Sequence, residues 1–245
     1  MDKNPGDTQT LFGLKAAMAV FASRPHDIIR IYYRKDQGKA LAGLLKWAAS
    51  QRLVYREQGD EGLAKLAKSA HHEGVVLTVH PLRFRAFSLA EIADADRPGT
   101  RWLALDRVEN PHNLGAILRS AAFFGVRGVL VGGVAPKSKL NSAALRVAEG
   151  GAEHLRLTAS ENLAESLAAC AGAGWQVLGL ETGSPHPLSR ERATAPWILV
   201  AGHEAEGLSE PVRAACTQLI TIPGSGRVGS LNVSVSVGVA LAMLG

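Results

Sequence analysis

From Arg101 onward, short runs of strand-forming residues alternate with helical stretches, and this alternation constrains the fold more than any other feature. WLALD reads as a strand, Asn113–Phe124 as a helix after a turn at Pro111, VRGVLVGG as a strand and Ser142–Ala148 as a helix. LRLT, WQVLGLE, WILVAG and LITIP follow as strands, with helices at Leu163–Ala171 and Glu210–Cys216 between them. Strands separated by helices of this length need crossover connections. They therefore predict a mostly parallel sheet covered on both faces.

The front of the chain has the same chemistry on a smaller scale. Leu11, Leu14, Met18 and Phe21 recur at helical spacing, and Arg24-Pro25 closes that stretch. IIRIYY, Leu53–Tyr55 and GVVLTV read as strands, with helices at Ala40–Ser50 and Leu63–Ala70. The periodicity then stops between His80 and Thr100, where charge, proline and isolated apolar residues mix. That composition predicts a linker with room for one short helix. The expected organisation is a small α/β domain over residues 1–80, a linker over 81–100 and a larger α/β domain over 101–245.

The tail carries two patterns at once. In LNVSVSVGVALAML, Val233, Val235, Val237, Val239 and Leu241 alternate as in a strand, whereas Leu231, Val235, Val239 and Ala242 share one helical face. Alternation alone favours a strand.

Composition limits the function classes. No apolar run reaches the ~18 residues of a membrane span, and the polar start MDKNPGDTQT is no secretory signal, so a cytoplasmic protein is expected. Cys170 and Cys216 are too few for a disulfide framework or a zinc cluster and are expected to be core residues; no metal is expected. The formal net charge is +5, with most of the excess in the first hundred residues, which permits a polyanionic partner. HHEG, His71 to Gly74, lacks the second histidine of a zinc helix, and its histidines are expected on the surface.

Three segments sit where strands end, the edge at which open α/β sheets bind ligands. ENPHNLGAILRSAAFFG offers Asn113 as a helix cap and Arg119 inside the helix; AGHEAEGLSE joins a strand to a helix; IPGSGRVGSLNVSVS has glycines that allow close backbone approach. Neither G-x-G-x-x-G nor G-x-x-x-x-G-K-[ST] is present.

Taken in this order, the three segments resemble the motifs of the SpoU family of RNA ribose 2′-O-methyltransferases, within the knotted SPOUT superfamily. Motif one is matched by Asn113-Leu-Gly115 with Arg119, and motif two by Gly202-His203-Glu204-Ala205-Glu206-Gly207. Motif three is matched by Ile222-Pro223-Gly224-Ser225-Gly226 and then Ser230-Leu231-Asn232-Val233-Ser234-Val235. Leu11 to Val79 resembles the small ribosomal-protein-like α/β substrate-binding domain that many members carry in front.

This resemblance implies a deep trefoil knot in the C-terminal sheet domain, a rare exception to unknotted topology. It implies S-adenosylmethionine as cofactor, bound at Gly202, Ile222 and Leu231, with Thr182 a further contact. The implied catalytic set is Asn113, Arg119, Glu204, Ser230 and Asn232. The substrate would be structured RNA, either tRNA or rRNA, and the enzyme a homodimer through its C-terminal domain, with a helix rather than a strand after motif three. Two positions depart from the motifs: His203 replaces Asn in motif two, and Gly224 replaces Met in motif three.

A guanidinium holds its proton too firmly to serve as a base. Arg119 is therefore expected to grip the phosphate beside the target ribose and steer the 2′-hydroxyl. Two other classes compete with the enzyme: a module that shields RNA without methylating it, and a metabolic enzyme using a nucleotide. The intact set Asn113, Arg119, Glu204, Ser230 and Asn232 argues against the first, and the missing glycine-rich loop against the second.

Overall fold

In the computed structural model, residues 7–93, 100–188 and 196–244 are described. The chain divides into two compact units, one running to Leu82 with Lys139–His154 added, the other formed by Arg83–Ser138 and Leu155 onward. The end of the expected linker (94–99) and the first six residues of the polar start lie outside the described residues.

The first unit begins with a strand that helical spacing conceals. Leu11 lies in β1 (Gln9–Phe12), and α1 (Leu14–Ser23) starts only after Gly13. Gly13 sits at φ +102°, a conformation that lets the chain turn from strand into helix at once, and a Glu73 carboxylate oxygen accepts from the Leu14 N–H at 3.2 Å. β2 (Ile28–Tyr33), α2 (Ala42–Ser50), β3 (Val54–Glu57), α3 (Asp60–Ala67) and β4 (Val75–Val79) complete the front portion. The sheet order is β1-β4-β2-β3, antiparallel except for the β2–β3 pair. α3 covers one face, where Phe12, Leu63, Ala67 and Val76 form a small core. Of the two adjacent histidines, His71 is exposed but His72 is buried, because its Nδ1 accepts from the Gly74 N–H at 3.1 Å and closes the turn into β4.

The helix at Ser142–Val147, α6 in chain order, also belongs to this unit and packs on β1. Its Ser142 hydroxyl donates to the Thr10 carbonyl at 2.7 Å. A two-pronged ion pair joins the same parts: Arg24 Nε to Glu153 Oε2 at 2.7 Å and Nη2 to Oε1 at 3.0 Å. The Glu153 side chain is only 3% exposed. Burial works against the Arg24 charge, but Glu153 and Asp27 outweigh it and hold the guanidinium above its ordinary pKa. Removing Glu153 takes the two-pronged partner from a largely buried charge and leaves it only Asp27, at 3.2 Å, so Glu153→Ala should cost about 2 kcal/mol. The check is chemical denaturation of the wild type and the variant; an unchanged midpoint contradicts it.

The second unit holds β5 (Arg85–Ala86), α4 (Leu89–Ala93), β6 (Arg101–Leu105), α5 (Pro111–Phe123), β7 (Gly128–Gly132), β8 (Arg156–Ser160) and α7 (Leu163–Gly172). It continues with β9 (Gln176–Leu180), β10 (Trp197–Ala201), α8 (Glu210–Ala215), β11 (Gln218–Ile220) and α9 (Val233–Leu244). Seven parallel strands run in the order β11-β9-β10-β6-β7-β8-β5, as the strand–helix alternation predicts. Trp102, Trp175, Ile198 and Val200 anchor the core beneath α7 and α8. Cys170 is in that core and Cys216 packs against it. Burial pushes the Cys170 thiol up to about 11; burial, with the Glu181 and Asp106 carboxylates, pushes Cys216 to about 12, so both stay protonated at neutral pH.

The tail is a helix. Its buried residues Val233, Val237, Ala240, Leu241 and Leu244 recur at helical spacing, and the helix packs against α5. Alternation misleads here because small residues fill the intervening positions, so a period of two and a helical face coexist. Asn232 adds a cap, its Oδ1 accepting from the Ser234 N–H at 2.9 Å in the first turn.

Among the described residues no helix is long and apolar enough to cross a membrane, and no group of three or more His, Cys, Asp or Glu residues is placed to hold a metal ion.

Candidate active site

β11, β9, β10 and β6 are neighbours, so the segments after their carboxyl ends gather along one edge of the sheet. Each expected site residue stands on such a segment or on the helices beside it.

The helix carrying motif one starts earlier than its sequence suggests. Pro111 occupies the first helical position, where its missing N–H costs nothing, and Asn110 is the cap, accepting from the His112 N–H at 2.9 Å. Asn113 is therefore not the cap but the third residue of the helix, within its first turn. Its amide is thereby available for longer-range bonds. Asn113 Nδ2 donates to Glu204 Oε1 at 2.7 Å, and Asn113 Oδ1 accepts from Asn232 Nδ2 at 3.1 Å. Asn232 Oδ1 in turn accepts from the Ser234 hydroxyl at 2.6 Å. One polar chain, Glu204–Asn113–Asn232–Ser234, thus ties the three motif segments together.

The structure brings three of the five expected catalytic side chains into that chain. Arg119 is exposed further along α5, and Ser230 is exposed just ahead of α9. Of the expected cofactor residues, Gly202 is buried at the end of β10, Ile222 is half-buried after β11, and Thr182 and Leu231 are exposed.

The 202–208 loop is closed on itself. His203 N–H donates to the Gly207 carbonyl, and Gly207 N–H to the His203 carbonyl, both at 3.0 Å. A Cβ on Gly202 would collide with the Gly207 carbonyl group and lie 2.5 Å from the Leu208 nitrogen, so only glycine fits. His203, the departure from motif two, serves the loop directly. Its Nδ1 accepts from the N–H groups of Ala205 (3.2 Å) and Glu206 (3.3 Å).

Sequence reasoning passed over the residues that hold this loop from outside. Asp106, buried at the end of β6, accepts from the Ser209 N–H at 2.7 Å. Arg107 reaches Glu206 Oε2 at 2.5 Å and the Gly207 carbonyl at 3.3 Å. Its hydrogen bond with Glu206, against a smaller opposing effect of desolvation, keeps the guanidinium above its ordinary pKa. The available signal was an Asp-Arg pair directly after a strand on the ligand edge.

The edge is suited to a polar organic cofactor. Glu181, just past β9, pairs Oε1 with Arg213 at 3.0 Å, while its Oε2 is buried with no hydrogen-bond donor. That oxygen is free to accept from a water or from a ligand group. Positions 183, 224 and 226 are glycines whose missing Cβ atoms would face open space, so a ligand can approach the backbone there.

Comparison with known proteins shows the family. Residues 101–242 match the SpoU rRNA Methylase family, and residues 10–85 match the family described as RNA 2'-O ribose methyltransferase substrate binding. The chain belongs to the SpoU methylase family. Among SpoU-type relatives, the 23S rRNA (guanosine-2'-O-)-methyltransferase RlmB of Escherichia coli strain K12 is 34% identical over 240 residues, 96% of each chain. The uncharacterized tRNA/rRNA methyltransferase YfiF of E. coli O157:H7 is 33% identical over 231 residues. That alignment covers 94% of this chain and 66% of YfiF, just under two thirds of its length. A solved SpoU methyltransferase, AviRb from Streptomyces viridochromogenes in complex with the cofactor AdoMet, shares the fold at a TM-score of 0.77 and 22% identity, covering 98% of this chain and 92% of AviRb.

Proposed function

We propose that this chain transfers the methyl group of S-adenosylmethionine to a ribose 2′-hydroxyl of a structured RNA, with ribosomal RNA as the first candidate substrate. The observation that carries the reading is the Glu204–Asn113–Asn232 chain, which unites the three motif segments at the ligand edge. Relatives named as 23S rRNA (guanosine-2'-O-)-methyltransferases, alignable over nearly the whole length of both chains, support ribosomal RNA ahead of tRNA.

When bound, the cofactor supplies an electrophilic methyl group on a sulfonium. Gly202, Ile222 and Leu231 would hold it through backbone groups, with Thr182 at the rim. Arg119 binds the phosphate next to the target nucleotide as a two-pronged donor and aligns the 2′-hydroxyl. Alignment of two bound reactants alone can lower a barrier by several kcal/mol. Asn113 is held by Glu204 on one side and Asn232 on the other, so its amide has one orientation when the ribose arrives. Ser230 adds a hydroxyl to the same pocket.

In this reading the segment between β11 and α9 is threaded to form the trefoil knot, the protein is cytoplasmic, and two copies pair through the C-terminal unit. Exposed Val235 and Leu231 on and beside α9 support the pairing. The test is nuclease digestion of RNA methylated by the purified chain, followed by nucleoside mass analysis. The expected product is a 2′-O-methylnucleoside, with yield falling about a hundredfold in Asn113→Ala. A base-methylated product overturns the reading. Sedimentation of the same sample should give a dimer mass; a monomer overturns the pairing.

A further inference from the structure

We propose that Arg107 and His203 are positioning residues that preform the 202–208 loop, so that Gly202 and Glu204 are set before the cofactor arrives. The inference rests on the reading that this loop holds the cofactor, and it assigns a role to the departing residue of motif two and to one side chain outside the motifs.

Five residues, His203 to Gly207, lie within the closing pair of backbone bonds, and none of them is in a helix or a strand. Left to itself, such a segment would sample many conformations, and ordering it on binding would weaken affinity. Two devices oppose this, one inside and one outside. Inside, the ring of His203 takes the place of the asparagine in the family motif and accepts from two successive backbone N–H groups, those of Ala205 and Glu206. An asparagine carbonyl could accept in the same way, so the departure keeps the capping chemistry while changing the residue.

Outside, Arg107 fastens the loop to β6. Its guanidinium spans from Glu206 Oε2 (2.5 Å) and the Gly207 carbonyl (3.3 Å) back to its neighbour Asp106, 3.6 Å from Nε to Oδ1. Asp106 is buried and holds the far end of the loop through the Ser209 N–H at 2.7 Å. Arg107 itself sits at φ +59°, where a residue with a Cβ is strained. Strain of this kind persists only where surrounding contacts offset it, and the Arg107 side-chain bonds to the loop are among those contacts. The consequence reaches the polar chain: Glu204 projects from the braced loop to Asn113 at 2.7 Å. Arg107 and His203 thus act through Gly202 and Glu204 rather than on the reactants.

Hydrogen exchange on the cofactor-free full-length chain, paired with calorimetric S-adenosylmethionine binding, tests this. In the wild type the amides of Ala205, Glu206 and Gly207 should exchange slowly. His203→Leu and Arg107→Ala should each speed that exchange about tenfold and weaken cofactor binding by a similar factor. His203→Asn, which restores an acceptor, should recover both, an outcome that a mere packing role for the ring would not produce. Fast exchange in the wild type, or no rescue by asparagine, overturns the proposal. Faster exchange in the variants with unchanged cofactor affinity would overturn the reading of this loop as the cofactor site and leave only the brace.

Discussion

Gly202→Ala should weaken cofactor binding by roughly thirtyfold while leaving the chain folded. The reason is steric and local. An added methyl would collide with the Gly207 carbonyl group and lie 2.5 Å from the Leu208 nitrogen, both of them backbone that cannot swing aside. Accommodating it means opening the pair of bonds between His203 and Gly207 and moving the whole loop. Overpacking of this kind costs about 2 kcal/mol, which corresponds to that factor in Kd. The loop leaves the end of β10 and joins the core beneath α7 and α8 through Leu208 alone, so most of the loss should fall on the site rather than on the sheet. Titration calorimetry with S-adenosylmethionine and a parallel thermal melt check both halves. Undiminished affinity would mean that the loop does not line the cofactor site.

Arg119→Ala should have the opposite signature: cofactor affinity intact, turnover reduced by about a hundredfold to a thousandfold. A group that aligns the nucleophile and binds a neighbouring phosphate contributes in the transition state more than in the cofactor complex. Arg119 is exposed on α5, the helix that also carries Asn113, so its loss should not unfold the unit. Lysine at this position keeps the charge but loses the planar fork, so Arg119→Lys should recover only part of the activity. Single-turnover rates with saturating cofactor distinguish these cases. Near-full turnover in the lysine variant would remove the two-pronged phosphate contact from the mechanism.

How much of this was legible in the sequence depends on the range of the interactions involved. The parallel sheet follows from local alternation, since most strand-forming runs are followed by a helix that must cross over. β1 was not legible, because Leu11 sits at helical spacing from Leu14 and only the left-handed turn at Gly13 separates the two elements. The tail carried both periods, and its helix is fixed by packing against α5 together with a cap at Asn232, neither of which a hydrophobic pattern records. Nor can a local pattern say which unit a helix joins: Ser142–Val147 lies amid the second unit's sequence yet packs on β1. At the site, the motif residues were readable through their resemblance to a family, and the structure joins Asn113, Glu204 and Asn232 by direct bonds. The supports at Asp106, Arg107 and Glu206 were not readable. Their roles arise from contacts across about a hundred residues of sequence, between the end of β6 and the loop after β10.

Methyl transfer to a ribose 2′-hydroxyl is best measured with labelled S-adenosylmethionine and unmodified ribosomal RNA and, separately, unmodified tRNA. The expected outcome is label on ribosomal RNA, resistant to alkali at the nucleotide that carries it, and lost with Arg119→Ala. Label on tRNA alone would keep the chemistry and overturn the proposed substrate. Failure to label either RNA, by a chain that binds the cofactor, would refute the proposed activity and favour a protein that holds RNA without methylating it.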